Sequence, residues 1–184
     1  MNRHLTPLRA DTTVLLVVDV QEKLLPAIHE GEQILENARR MIAAAEVLGV
    51  PTLVTEQYPA GLGPTCAGLR EALGEAPVIE KTRFSACVPA VVDKLAELGR
   101  PAVVVVGVEA HVCVQQTVLD LLRAGYGPWV CADAVGSRRP LDRDTAIERM
   151  RQAGAVVTTT ESVIFELLGE AGTELFKRIL KIVK

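Results

Sequence analysis

Three reactive side chains stand just past apolar runs in this sequence. Asp19 closes Thr13–Val18 (TVLLVV), Lys81 follows Pro77–Glu80, and Cys113 comes shortly after Pro101–Gly107 (PAVVVVG). A carboxylate, an ammonium and a thiol are the parts of a nucleophilic site. The thiol needs a base to take its proton and a cation to offset the anion left behind. Taken singly, each has an ordinary role. A strand-end Asp commonly caps the next turn, a lone Lys is usually solvated, and a lone Cys is more often a small buried hydrophobe. Cys113 falls in the first turn of an expected helix, where backbone amides and the helix dipole favour a thiolate. The expectation is a Cys113 thiol of lowered pKa that alkylates faster than Cys66, Cys87 and Cys131, which read as structural. Amides of the turn before that helix would face a developing oxyanion.

The elements that must bring these residues together alternate strand and helix. Apolar residues at 3–4 spacing predict helices over Gly31–Leu48, Cys66–Ala72, Val88–Leu98, His111–Ala124, Asp142–Ala153, Glu161–Leu168 and Glu174–Lys184. Short β-branched runs predict strands at Thr13–Val18, Val50–Thr55, Pro77–Glu80, Pro101–Gly107, Pro128–Ala132 and Ala155–Thr158, with Gln57–Pro64 as a loop. The pattern predicts a three-layer α/β/α sandwich, Rossmann-like, with a six-stranded mostly parallel sheet in a single domain over 1–184. Ligands of such sheets bind beyond the carboxyl ends of the strands. Asp19, Lys81 and the stretch Val108–Cys113 all stand there.

Composition narrows the function. The net charge is −3 and aromatics are 3% of the chain, so neither a phosphate-neutralising nor a base-stacking surface is expected, and nucleic acid is not an expected partner. No apolar run approaches the roughly 20 residues of a membrane span. Met1–Thr13 lacks an apolar signal core, so the expected location is cytoplasmic. The turn Asp19–Lys23 has no glycine, which argues against a dinucleotide. His4, His29 and His111 are far apart and no cysteines have CxxC spacing, so neither metal nor cofactor is expected.

The segments VLLVVDVQEKL (14–24), EKTRFSAC (80–87) and VVGVEAHVCVQQTVLDLLRAGY (105–126), followed by ADAVGSR (132–138), resemble the isochorismatase-like cysteine hydrolases. That group includes nicotinamidases and N-carbamoylsarcosine amidohydrolase. The resemblance runs in order from about residue 12 to 168, and TEQYPAGLGPT (55–65) and RMRQAGAVVTTTES (149–162) are similar to the isochorismatase domain-containing proteins. It implies Asp19 as general base, Lys81 as electrostatic partner and Cys113 as nucleophile. It further implies a cis peptide between Val108 and Glu109, with the amides of Glu109 and Cys113 forming an oxyanion hole. The implied reaction attacks an amide-type carbonyl of a small molecule, releases ammonia or an amine, and hydrolyses a thioester. Nicotinamidases carry an Asp-x-His pair for a metal; the corresponding stretch here is Glu56-Gln57-Tyr58-Pro59, without histidine. Cys113 sets the chain apart from isochorismatase itself, which lacks the cysteine.

Gln21, Glu56, Tyr58, Phe84 and His111 are further candidates for the substrate pocket. Each has an ordinary alternative: an exposed turn for Gln21, loop solvation for Glu56 and Tyr58, core packing for Phe84, and a helix start for His111. The resemblance implies a homo-oligomer, to which the apolar C-terminal helix (Leu175, Phe176, Ile179, Leu180, Ile182, Val183) could contribute, with Trp129 as packing or a subunit contact. The competing function is a non-catalytic binding or assembly protein that keeps the hydrolase fold. A redox role for Cys113 is disfavoured, because no resolving cysteine lies nearby in sequence.

Overall fold

A computed structural model describes residues 6–184. His4 and the start of the Met1–Thr13 segment lie outside the described residues. The elements run β1 (Thr13–Val18), α1 (Gly31–Leu48), β2 (Thr52–Gln57), α2 (Pro59–Leu62), α3 (Ala67–Leu73), β3 (Val78–Lys81), α4 (Pro89–Leu98) and β4 (Ala102–Val108). A π-helical turn (Ala110–Val114) leads into α5 (Gln115–Arg123), then β5 (Gly127–Gly136), α6 (Pro140–Gln152), β6 (Val156–Thr158), α7 (Thr160–Leu168) and α8 (Glu174–Val183). The sheet order is β3-β2-β1-β4-β5-β6, and every strand pair is parallel. The chain first builds outward from β1 through β2 to β3, then returns to lay β4 on the other side of β1. That reversal opens a crevice at the carboxyl ends of β1 and β4.

The central strands alternate side chains between two cores. Leu15, Val17, Val104 and Val106 face one cluster, closed by α1, α3, α7 and α8 through Ala38, Met41, Leu69, Ile164 and Ile179. Val14, Leu16, Val18, Val103 and Val105 face the other, closed by α4, α5 and α6 through Val91, Leu95, Val118, Leu121 and Met150. Burial of every residue of β1 explains why TVLLVV is an unbroken apolar run rather than an alternating one.

Several expectations are corrected. β2 runs two residues further than the sequence suggests, so Glu56 and Gln57 belong to the strand; pairing with β3 through Glu56–Glu80 and Gln57–Lys81 carries it on. Lys81 is accordingly the last residue of β3 rather than the first beyond it. The expected loop at 57–64 contains the short helix α2. β5 has 10 residues and extends through ADAVG, with a register shift against β4 between Val105 and Gly107. The C-terminal helix spends apolar surface within the chain: Ile179 is buried, and Ile182 and Val183 pack against the α1-side core. Trp129 is buried in the same core. Among the described residues no helix is long and apolar enough to cross a membrane.

Candidate active site

The carboxyl-end rim gathers the three reactive residues. Asp19 follows β1 with φ 52°, a left-handed conformation that Asp tolerates better than most side chains. Its amide donates to the Thr55 carbonyl at 3.1 Å, which ties the turn to β2. The carboxylate is fully buried. Its Oδ1 accepts from Thr55 Oγ1 at 2.7 Å and its Oδ2 accepts from Lys81 Nζ at 2.6 Å. Neither side chain of this ion pair reaches solvent. A buried pair is tolerable only when further hydrogen bonds satisfy both partners. Here Lys81 also donates to Gln57 Oε1 at 2.7 Å and faces the carbonyls of Phe84 and Arg83 at 3.0 and 3.2 Å. β3 lies two strands from β1, roughly 10 Å at ordinary strand spacing. Only a long side chain crosses that gap, which is a physical reason for lysine at the end of β3.

Cys113 lies within the π-helical turn after β4 and is 5% exposed. The Val114 amide donates to the Glu109 carbonyl at 3.2 Å, the five-residue bond that makes the turn. Thr117 Oγ1 donates to the Cys113 carbonyl at 2.6 Å and accepts from the Ala86 amide at 2.8 Å, stapling the turn to the segment after β3. Burial pushes the Cys113 thiol up to about 12. The Asp19 carboxylate adds to the rise, while Lys81 and the Glu109 backbone draw it back. The expected lowered thiol pKa is therefore overturned. A carboxylate facing a buried sulfur outweighs the helix-start effect, and the residue sits inside a π turn rather than at the start of α5.

The Val108–Glu109 peptide is cis. The Glu109 side chain is held by Arg138, its Oε2 accepting from the Arg138 amide and Nε, both at 3.1 Å.

The pocket candidates divide. Gln21 is fully buried and commits its amide to the framework: Oε1 accepts from the Gln57 amide at 2.7 Å, while Nε2 donates to the carbonyls of Gln57 and Gly63 at 3.0 and 2.6 Å. Glu56 is also buried, its Oε1 accepting from the Thr65 amide at 2.6 Å and hydroxyl at 2.7 Å. The exposed turn for Gln21 and the solvated loop for Glu56 are corrected: both side chains are buried and anchor the loop after β2. Tyr58 is 58% exposed and lines a cavity of about 570 Å³ with Pro59, Lys81, Arg83 and Val88. Phe84 is 54% exposed, not a core residue, and lines a neighbouring cavity of about 690 Å³ with Arg83, Gln115 and Arg149. His111 is partly buried, its Nδ1 2.9 Å from Ser137 Oγ. The other thiols are unpaired; burial raises that of Cys87 to about 11 and pushes those of Cys66 and Cys131 up. Among the described residues no group of three or more His, Cys, Asp or Glu could hold a metal ion.

Sequence reasoning missed Thr55, Gln57 and Thr117. The strand-end rule applied to β2 points to the first two. Thr117, one helical turn beyond Cys113, carries no comparable signal.

Comparison with known proteins agrees with this architecture. Residues 13–162 match the isochorismatase domain model. Isochorismatase domain-containing protein 1 of Salmo salar is 42% identical over 174 residues, 94% of this chain and 61% of that protein. The chain thus spans less than two thirds of that relative. A structure described as MAR1 ribonuclease from Caenorhabditis elegans is 43% identical, with a TM-score of 0.93 over 97% of this chain and 92% of that one. YcaC from Pseudomonas aeruginosa, described with hexane-2,5-diol and covalent acrylamide, is 28% identical with a TM-score of 0.90, covering 97% and 92%. The YcaC gene product of Escherichia coli, described as an octameric hydrolase of unknown specificity, is 27% identical with a TM-score of 0.85, covering 90% and 83%.

Proposed function

From the premise that this chain belongs to the isochorismatase family, we propose that it is a cysteine hydrolase that cleaves an amide-type C–N bond of a small molecule. The observation that carries the reading is the buried Asp19–Lys81 pair, closed at 2.6 Å, with its carboxylate and ammonium acting in opposite directions on the buried Cys113 thiol. A carboxylate that faces a neutral thiol is poised as a base, and the ammonium beside it compensates the charge that appears on sulfur.

In this reading Asp19 takes the thiol proton as sulfur attacks the carbonyl carbon. The C–S bond forms and the carbonyl π pair moves to oxygen, where the amides of Glu109 and Cys113 receive it. The pair then returns, the C–N bond breaks, and the proton held by Asp19 passes to the leaving nitrogen. A water molecule, deprotonated by Asp19, cleaves the thioester to a carboxylic acid and restores the thiol. Because the resting thiol keeps its proton, transfer and attack belong to one step. Tyr58, Phe84 and His111 stand at the rim as substrate contacts. The E. coli relative's octameric description supports the further reading that this chain works as a homo-oligomer.

The test is a screen of small amides, carbamoyl compounds and esters for release of ammonia or acid, run beside Cys113→Ala. Turnover that falls at least about a hundredfold in the variant is expected. Unchanged turnover of an identified substrate by Cys113→Ala overturns the mechanism, whereas no turnover anywhere in the panel favours a binding or assembly role.

A further inference from the structure

We infer that Gln57 is a positioning residue: its neutral side-chain amide holds Lys81 Nζ against Asp19 and thereby sets the proton affinity of the Cys113 thiol. The inference rests on the proposed roles of Asp19, Lys81 and Cys113.

The geometry fixes the direction of the Gln57 amide. Nε2 donates to the Thr82 carbonyl at 2.9 Å, which turns Oε1 toward Lys81 Nζ at 2.7 Å. Its backbone is held as firmly. β1 pairs with β2 only as far as Thr55, so the Gln57 amide and carbonyl have no strand partner on that side. The Gln21 side chain takes both of them and continues the ladder one step beyond the end of β1. On the other side Gln57 lies in register with Lys81 itself. Gln57 therefore stands on the strand that the lysine must cross to reach Asp19.

Among the described residues Nζ donates to four acceptors: Asp19 Oδ2, Gln57 Oε1 and the carbonyls of Phe84 and Arg83. Three ammonium protons serve them, and the two shortest bonds go to Asp19 and Gln57. Loss of the Gln57 acceptor leaves Nζ, beside Asp19, with the two loop carbonyls, drawing it toward the loop after β3. A carboxylate at the same position keeps the acceptor but gives the site a net negative charge. The charged groups that act on the sulfur are Asp19 from the end of β1 and Lys81 from the end of β3, with the neutral Glu109 backbone opposing the rise. Both changes weaken the offset that Lys81 provides against the Asp19 charge at the sulfur, so both make the thiol harder to ionise.

The test is the pH dependence of iodoacetamide alkylation at Cys113, read by peptide mass spectrometry with Cys66, Cys87 and Cys131 as internal references. Circular dichroism checks that each variant is folded. Gln57→Met and Gln57→Glu are each expected to slow Cys113 alkylation about tenfold at pH 9, a shift of about one pH unit in the profile, with the other three cysteines unchanged. Lys81→Gln is the control. If it slows alkylation while both Gln57 variants overlie the unmodified protein, this inference is overturned and the proposed site stands. If Lys81→Gln has no effect either, the proposed site fails with it. Should Gln57→Met not fold, Gln57→Glu, almost isosteric, reads the same profile.

Discussion

At Cys113 opposite charges act on one sulfur. Removing either charged partner should move the thiol in opposite directions, which separates general base from thiolate stabiliser. Asp19→Asn deletes the anion that raises the thiol and keeps the Lys81 cation, so the thiol ionises at lower pH. Cys113 in Asp19→Asn is expected to alkylate several-fold faster than in the unmodified protein at pH 8, although turnover falls on the order of a hundredfold for want of a base. Lys81→Gln should slow both. Equal alkylation rates in the two variants would count against the assigned roles. The same thiol has a consequence for stability. Its pKa rises from 9.0 to about 12 on folding. Between those values the folded state keeps a proton that the unfolded state loses, so the contribution is full below about 9 and declines as pH climbs toward 12.

The elements act through their ends. β1 and β4 place Asp19 and Cys113 on either side of the crevice, and the approach of the two strands depends on Gly107. That residue has φ +125°, and a Cβ there would be driven into the Val18 carbonyl oxygen, a backbone atom with no freedom to give way. Backbone strain and overpacking each cost about 1–3 kcal/mol. Gly107→Ala is therefore expected to lower the unfolding free energy by more than about 2 kcal/mol in urea titrations; a loss under about 0.5 kcal/mol would show that β4 can move away from β1 at no cost. β2 is the other decisive element. Its last residues, Thr55 and Gln57, hold Asp19 and Lys81 respectively. The element that carries none of the reactive groups thus anchors two of them.

At the scale of the molecule, the two cores leave large hydrophobic residues outside. Leu141 is 76% exposed, and Tyr58 and Phe84 stand exposed on either side of the Arg83 loop. Part of the apolar face of α8, by contrast, is consumed within the chain. If copies of the chain associate, the rim around Tyr58 and Phe84 is the better candidate surface, and a partner would then close the mouth of the site. Sedimentation equilibrium is expected to give a multiple of the 19.8 kDa chain mass. A species of single-chain mass at micromolar concentration would remove that part of the reading.

Much of the fold was legible in order and type. The unbroken apolar runs TVLLVV and PAVVVVG marked strands buried on both faces, and 3.6-residue periodicity marked α1. The alternation of the two dictates a parallel sheet, because a parallel connection needs a helix to return the chain. The strand-end positions of Asp19, Lys81 and Cys113 made them candidates by local pattern alone. What only the tertiary structure decided depends on neighbours far away in sequence. The burial and hydrogen bonds of Gln21 and Glu56, the exposure of Phe84, and the length of β2 all follow from which strand lies alongside. The Cys113 thiol is the clearest case. Its local sequence argues for a lowered pKa, since helix-start amides are a short-range property. The rise comes from burial and from a carboxylate 94 positions earlier in the chain. Electrostatic effects on a buried group depend on distance in space, and distance in space was set by the order in which the strands were laid down.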